Sequence, residues 1–71
     1  MNWEHDEFVD IYTARSGDVI LEVAPDYGHW FFDVALEGGA SIVSPALYDT
    51  ADAAKAAAEH ALEIWRKGEM A

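Results

Sequence analysis

Apolar and polar residues follow two different rhythms along this chain. Between Phe8 and Ser44 they alternate in short runs, and from Thr50 to Lys67 the apolar positions recur every three or four residues. The first region holds three β-type runs and a fourth, punctuated by Ser16-Gly17-Asp18, Pro25-Asp26-Tyr27-Gly28 and Gly38-Gly39. Reading Asp26-Tyr27 as a two-residue loop, with Pro25 opposite Gly28, pairs Val23 with Trp30, Leu21 with Phe32 and Val19 with Val34. One face of that hairpin is then wholly apolar. Because side chains alternate with period two, the other face receives Asp18, Glu22, Asp33 and Glu37, interleaved with Ile20, Phe31 and Ala35.

The preceding hairpin has two readings. A three-residue loop with Gly17 in a left-handed conformation turns Val9, Ile11 and Thr13 inward, whereas a two-residue loop turns Phe8, Asp10, Tyr12 and Ala14 inward. The first is preferred because it keeps Asp10 out of the core. A short fourth strand, Ala40 to Ser44, is expected at an edge, with Pro45 closing the sheet region. For Trp3 to Phe8 a strand, a helical turn and a flexible arm all remain open.

The last segment reads as an amphipathic helix. Thr50 or Asp49 is a good N-cap, Asp52 lies in the first turn, where the helix dipole favours an anion, and Gly68 is a stop just past Arg66 and Lys67. Ala54, Ala58, Ala61, Leu62 and Trp65 share one stripe. Alanine along most of it lets the helix approach a sheet that supplies the bulk. The expected fold is therefore α+β in a single domain, residues 1–71: an antiparallel sheet of three to four strands within residues 8–44, packed on one C-terminal helix at 50–67.

Charge changes what this fold is expected to do. Residues 1–54 carry eleven carboxylates against a single cation, Arg15, while residues 55–71 balance three against three, so the net charge of −10 lies on the first three quarters of the chain. A surplus of this size repels itself and is not needed for folding, which points to a basic partner or to solubility. Duplex DNA, with about one negative charge per 1.7 Å of axis, would repel the chain, so direct nucleic-acid binding is not expected.

Enzymatic chemistry finds little support. The absence of cysteine removes thiolate sites, disulfides and a cysteine nucleophile and fits a reducing compartment, taken as the cytoplasm. No signal-peptide pattern and no apolar run near ~18 residues is present, so no membrane association is expected. Glu4-His5-Asp6-Glu7 has neither metal-ligand spacing nor a partner motif at His29 or His60, and no metal or other cofactor is expected. A carboxylate pair such as Glu22 with Asp33 needs a cleft to raise one pKa, and a small sheet with one helix offers none. The chain is read as a non-enzyme and as a monomer.

Same-face carboxylates on a strand repeat at about 6.6 Å, so neighbouring strands can present a two-dimensional array of anions to a basic groove. Asp18, Glu22, Asp26, Asp33 and Glu37 are the candidate partner-binding residues, chosen on the strand register alone. The plainer reading is that such acids confer solubility and guard sheet edges. Phe31 and Tyr27, on or beside that face, are candidate anchors for a protein contact.

The strand Val19-Ile20-Leu21-Glu22-Val23, the strand Gly28-His29-Trp30-Phe31-Phe32-Asp33-Val34, the Gly38-Gly39 turn and the helix that begins Asp49-Thr50-Ala51-Asp52 resemble small proteins of phages and mobile elements. The resemblance covers about residues 17 to 67. The whole chain, with its acidic amino terminus, looks like an anti-CRISPR protein directed at the type I-C surveillance complex, Cascade. That likeness implies an inhibitor in the host bacterial cytoplasm that covers a basic, DNA-reading surface of the effector, and it carries over no site residues. An acidic inhibitor of another DNA-binding protein, or a small structural or accessory phage domain, is the alternative.

Overall fold

A computed structural model describes residues 1–68. Five strands form one antiparallel meander, β1 (Glu4–Asp6), β2 (Ile11–Ser16), β3 (Val19–Asp26), β4 (His29–Ala35) and β5 (Ser41–Val43), hydrogen-bonded in sequence order. A short 3-10 turn, Glu37–Gly39, joins β4 to β5, and a single helix, α1 (Ala51–Arg66), lies across β3 and β4 on one face. The fold is α+β, as its periodicities indicate, with a fifth strand supplied by the amino-terminal segment.

Turn chemistry sets the registers. The β3–β4 loop is Tyr27-Gly28, not Asp26-Tyr27: Asp26 faces His29, and both loop residues have positive φ, 50° and 84°. A hairpin loop of this twist needs left-handed backbone at both positions, and glycine supplies it without a Cβ clash, so Gly28 falls inside the loop. Leu21 consequently faces Val34, and Val23 faces Phe32. The pairing differs by two residues from the expected one, an even number, so every side chain keeps its face.

The β2–β3 loop corrects the preferred reading of the first hairpin. It has two residues, Gly17-Asp18, with Ser16 opposite Val19 and positive φ at Gly17 alone. Tyr12 and Ala14, not Val9, Ile11 and Thr13, therefore turn towards the core, opposite Val23 and Leu21. The objection to this register was the burial of Asp10, and it does not arise. Asp10 lies outside the strand, in the turn 7–10, at φ 58° with its carboxylate 2.7 Å from His5 Nε2. The Phe8 N–H donates to Asp6 Oδ1 (3.0 Å), an Asx-type contact that tightens the same turn.

The amino-terminal strand is fastened by side chains. Trp3 Nε1 donates to Glu59 Oε2 on the helix (2.9 Å), His5 stacks on Tyr12 at 4.2 Å, and Lys55 Nζ sits 3.6 Å from the centre of the Tyr12 ring. Beyond β5 the chain returns to the sheet. Trp30 and Tyr48 exchange two backbone hydrogen bonds of 2.8 Å, so pairing with β4 continues past Pro45.

The core lies between the sheet and the helix. Leu21, Val23, Val34, Ala54 and Ala58 have no exposed surface, and Leu62, Phe32, Val19 and Ala14 retain 3% or less. Small helix residues meet large sheet residues, as the stripe Ala54, Ala58 and Leu62 requires. Thr50 caps the helix, its Oγ1 accepting from the Ala53 N–H (3.1 Å). Thr50→Ala leaves that donor to solvent and is expected to cost about 1 kcal/mol, read as a lower urea midpoint with an unchanged slope; an unchanged midpoint would show that the cap contributes nothing.

Candidate functional site

The face of the sheet opposite the helix is open. Unbroken registers place Glu4, Thr13, Glu22, Asp33 and Val43 in one row across all five strands, each facing the next. Three of the five are carboxylates. Glu22 and Asp33 are direct cross-strand neighbours, whose Cβ atoms stand about 4.5–5.5 Å apart in such pairs, and Glu4 lies three strands from Asp33, about 14 Å away at ordinary strand spacing. Asp6 and Asp26 lie on the same face, towards the end of the sheet that carries the turn 7–10 and the Tyr27-Gly28 turn.

The five candidate residues do not all come together. Glu22, Asp26 and Asp33 share the open face, Glu22 and Asp33 side by side. Asp18 and Glu37 lie off the strands, in the β2–β3 loop and the 3-10 turn, both at the opposite end of the sheet from Asp26. Period-two alternation was carried past the strand ends to reach both: Asp18 belongs to the turn before β3, and the turn after β4 begins at Glu37, one residue before Gly38. Glu4 and Asp6 were missed, because no turn signal in the sequence separates a strand from an arm there. Their alternation with Trp3 and His5, which pack towards the helix side, was the available clue.

Apolar groups interleave with the acids. Ile20 and Phe31 are half-buried on this face, Ala24 opposite Phe31 is buried, and Val43 is 60% exposed. Asp33 is itself half-buried: its Oδ1 is inaccessible to solvent and has no hydrogen-bond partner. A buried, unpaired carboxylate oxygen beside a second carboxylate is unfavourable for folding, since desolvation and like-charge repulsion add.

Three of the four cations lie elsewhere. Lys55 and Arg66 are on the helix and Lys67 is its C-cap. Lys55 Nζ lies 3.6 Å from Asp52 and over Tyr12, Lys67 pairs with Glu63 at 3.1 Å, and Arg66 donates to the Ser16 carbonyl (3.1 Å) and hydroxyl (2.8 Å). Arg15 shares the open face, in the row of Ile20, Ala35 and Ser41, and makes no ion pair among the described residues. Glu4, Asp6, Glu22, Asp26 and Asp33 thus stand against one cation on that face.

Among the described residues no three histidine, aspartate or glutamate side chains are grouped as metal ligands, and no helix is long and apolar enough to cross a membrane. An apolar groove between β5 and α1, lined by Phe32, Ile42, Tyr48, Ala57 and Ile64, carries Tyr48 and His60 as its titratable side chains. Comparison with family models, curated proteins and solved structures gives no match for this chain.

Proposed function

We propose that this protein is an inhibitor that acts by binding, its open sheet face occupying a basic surface that otherwise holds nucleic acid. The observation that carries the reading is the row Glu4, Glu22 and Asp33. Three acids cross a face left uncovered by the helix, two of them in direct opposition at a cost to folding. Acids spaced by strand geometry substitute for phosphates at lysines and arginines of the partner, and the interleaved Phe31 and Ile20 supply apolar contact within a charged rim. The resemblance to anti-CRISPR proteins directs the choice of partner: the type I-C surveillance complex, with target DNA recognition as the blocked step.

The test is a titration of purified type I-C complex at 50 and 200 mM salt, with target-DNA binding followed in parallel. The protein is expected to bind, to displace duplex target, and to lose about tenfold or more in affinity over that range. The slope is shallower than that of DNA, because a protein surface has no condensed counterions to release. Affinity that ignores salt would remove the phosphate-mimic reading. Salt-sensitive binding to an unrelated basic DNA-binding protein, with none to the complex, would move the target without moving the face.

A further inference from the structure

Two aromatic side chains bury nothing: Phe8 is 99% and Tyr27 100% exposed. They occupy the turns 7–10 and 27–28, which join β1 to β2 and β3 to β4 and so leave the meander at the same end. Those turns are about two strand spacings apart, roughly 10 Å.

Tyr27 is held at φ 50°, a left-handed conformation that asparagine or glycine adopts at lower cost than a bulky ring. The hairpin twist requires that backbone at position 27, but not an aromatic ring there, and a ring that packs against nothing in the fold is free to make a contact outside it. The setting narrows that contact. Asp6, Glu7 and Asp26 flank the two rings. Arg15, Arg66 and Lys67 lie at the far end of the molecule, beside the β2–β3 loop, and Lys55 is only 19% exposed.

Rings and anions without cations complement one kind of surface in particular. A groove for single-stranded nucleic acid combines cations that track phosphates with flat side chains on which unpaired bases stack, whereas a duplex-binding surface meets bases already stacked on each other. We infer that this end of the sheet enters a single-strand-binding groove of the basic partner, with Phe8 and Tyr27 in the places of two bases and the adjoining carboxylates in the places of phosphates. The inference rests on the proposed basic partner and specifies which of its surfaces is filled.

Immobilised type I-C complex tests it, with wild-type protein, Tyr27→Asn and Phe8→Ser as analytes, and with non-complementary oligothymidylate or a duplex of equal nucleotide count as competitors. Tyr27→Asn is expected to melt at or above the wild-type temperature, because the turn prefers asparagine, and yet to bind at least tenfold more weakly. Phe8→Ser should weaken binding similarly, and oligothymidylate should displace wild type better than the duplex does. Full affinity in both folded variants, or displacement by the duplex alone, overturns the single-strand groove while leaving the acidic face in place. Failure of wild type to bind the complex at all overturns the partner and this inference together.

Discussion

Leu21→Ala is expected to lower the unfolding free energy by about 3 kcal/mol. For a domain of this length the whole stability is roughly 4–10 kcal/mol, so one truncation removes a third or more of it. Leu21 has no exposed surface and lies mid-strand, between Ala14 on β2 and Val34 on β4. The cost depends on how far the surroundings can collapse into the cavity, and here much of the surrounding cluster is alanine: Ala14, Ala54 and Ala58 have no side chain beyond Cβ to swing inward. Backbone approach is limited by the sheet on one side and by the helix already seated on it. Urea denaturation should show a lower midpoint with little change in slope. A loss below about 1 kcal/mol, far under the usual range for this truncation, would mean that the helix does not close over this part of the sheet.

The elements whose boundaries are set by local chemistry were legible without coordinates. The helix stripe, the Thr50 cap and the division of β3 and β4 into a buried and an open face all follow from periodicity and capping. The face assignment survived even a wrong turn, since a two-residue slip preserves parity. What escaped the sequence was decided by competition between turns. Gly17 is compatible with a two- or a three-residue loop, and the choice was settled by Asp10, which leaves the strand for a turn that the sequence does not announce. The same turn carries Phe8 out of the core-facing pattern to near-complete exposure. Of the acidic site, the pair Glu22 and Asp33 was readable from alternation. Its extension to Glu4 depends on β1 pairing with β2, a contact secured by Trp3–Glu59 and by the stack of His5 on Tyr12, neither of which has a local signature.

Glu22→Lys is expected to make the protein more stable and less able to bind. In the native row Glu22 opposes Asp33, whose Oδ1 is buried and unpartnered. A lysine at position 22 replaces a like-charge cross-strand pair with an opposite-charge one and brings an ammonium donor within reach of that oxygen. Together these should raise stability by up to about 1 kcal/mol, less as salt screens the pair. The double variant Glu22→Lys/Asp33→Lys restores a like-charge pair, now positive, and forfeits the gain. Binding should move the other way. Reversing one central charge against a basic surface is expected to weaken affinity by about a hundredfold, near 2.7 kcal/mol, and the double reversal by more. Thermal melts at low and high salt, beside affinities for the type I-C complex, separate the two effects. A less stable Glu22→Lys would show that the native carboxylate is better accommodated than its surroundings indicate. A more stable variant that binds as tightly as wild type would establish that the open face is acidic for solubility and that the partner is met elsewhere. Stability gained as affinity is lost is the result a binding role predicts, because it makes the uncomfortable pair a feature kept for what it touches and not for the fold it burdens.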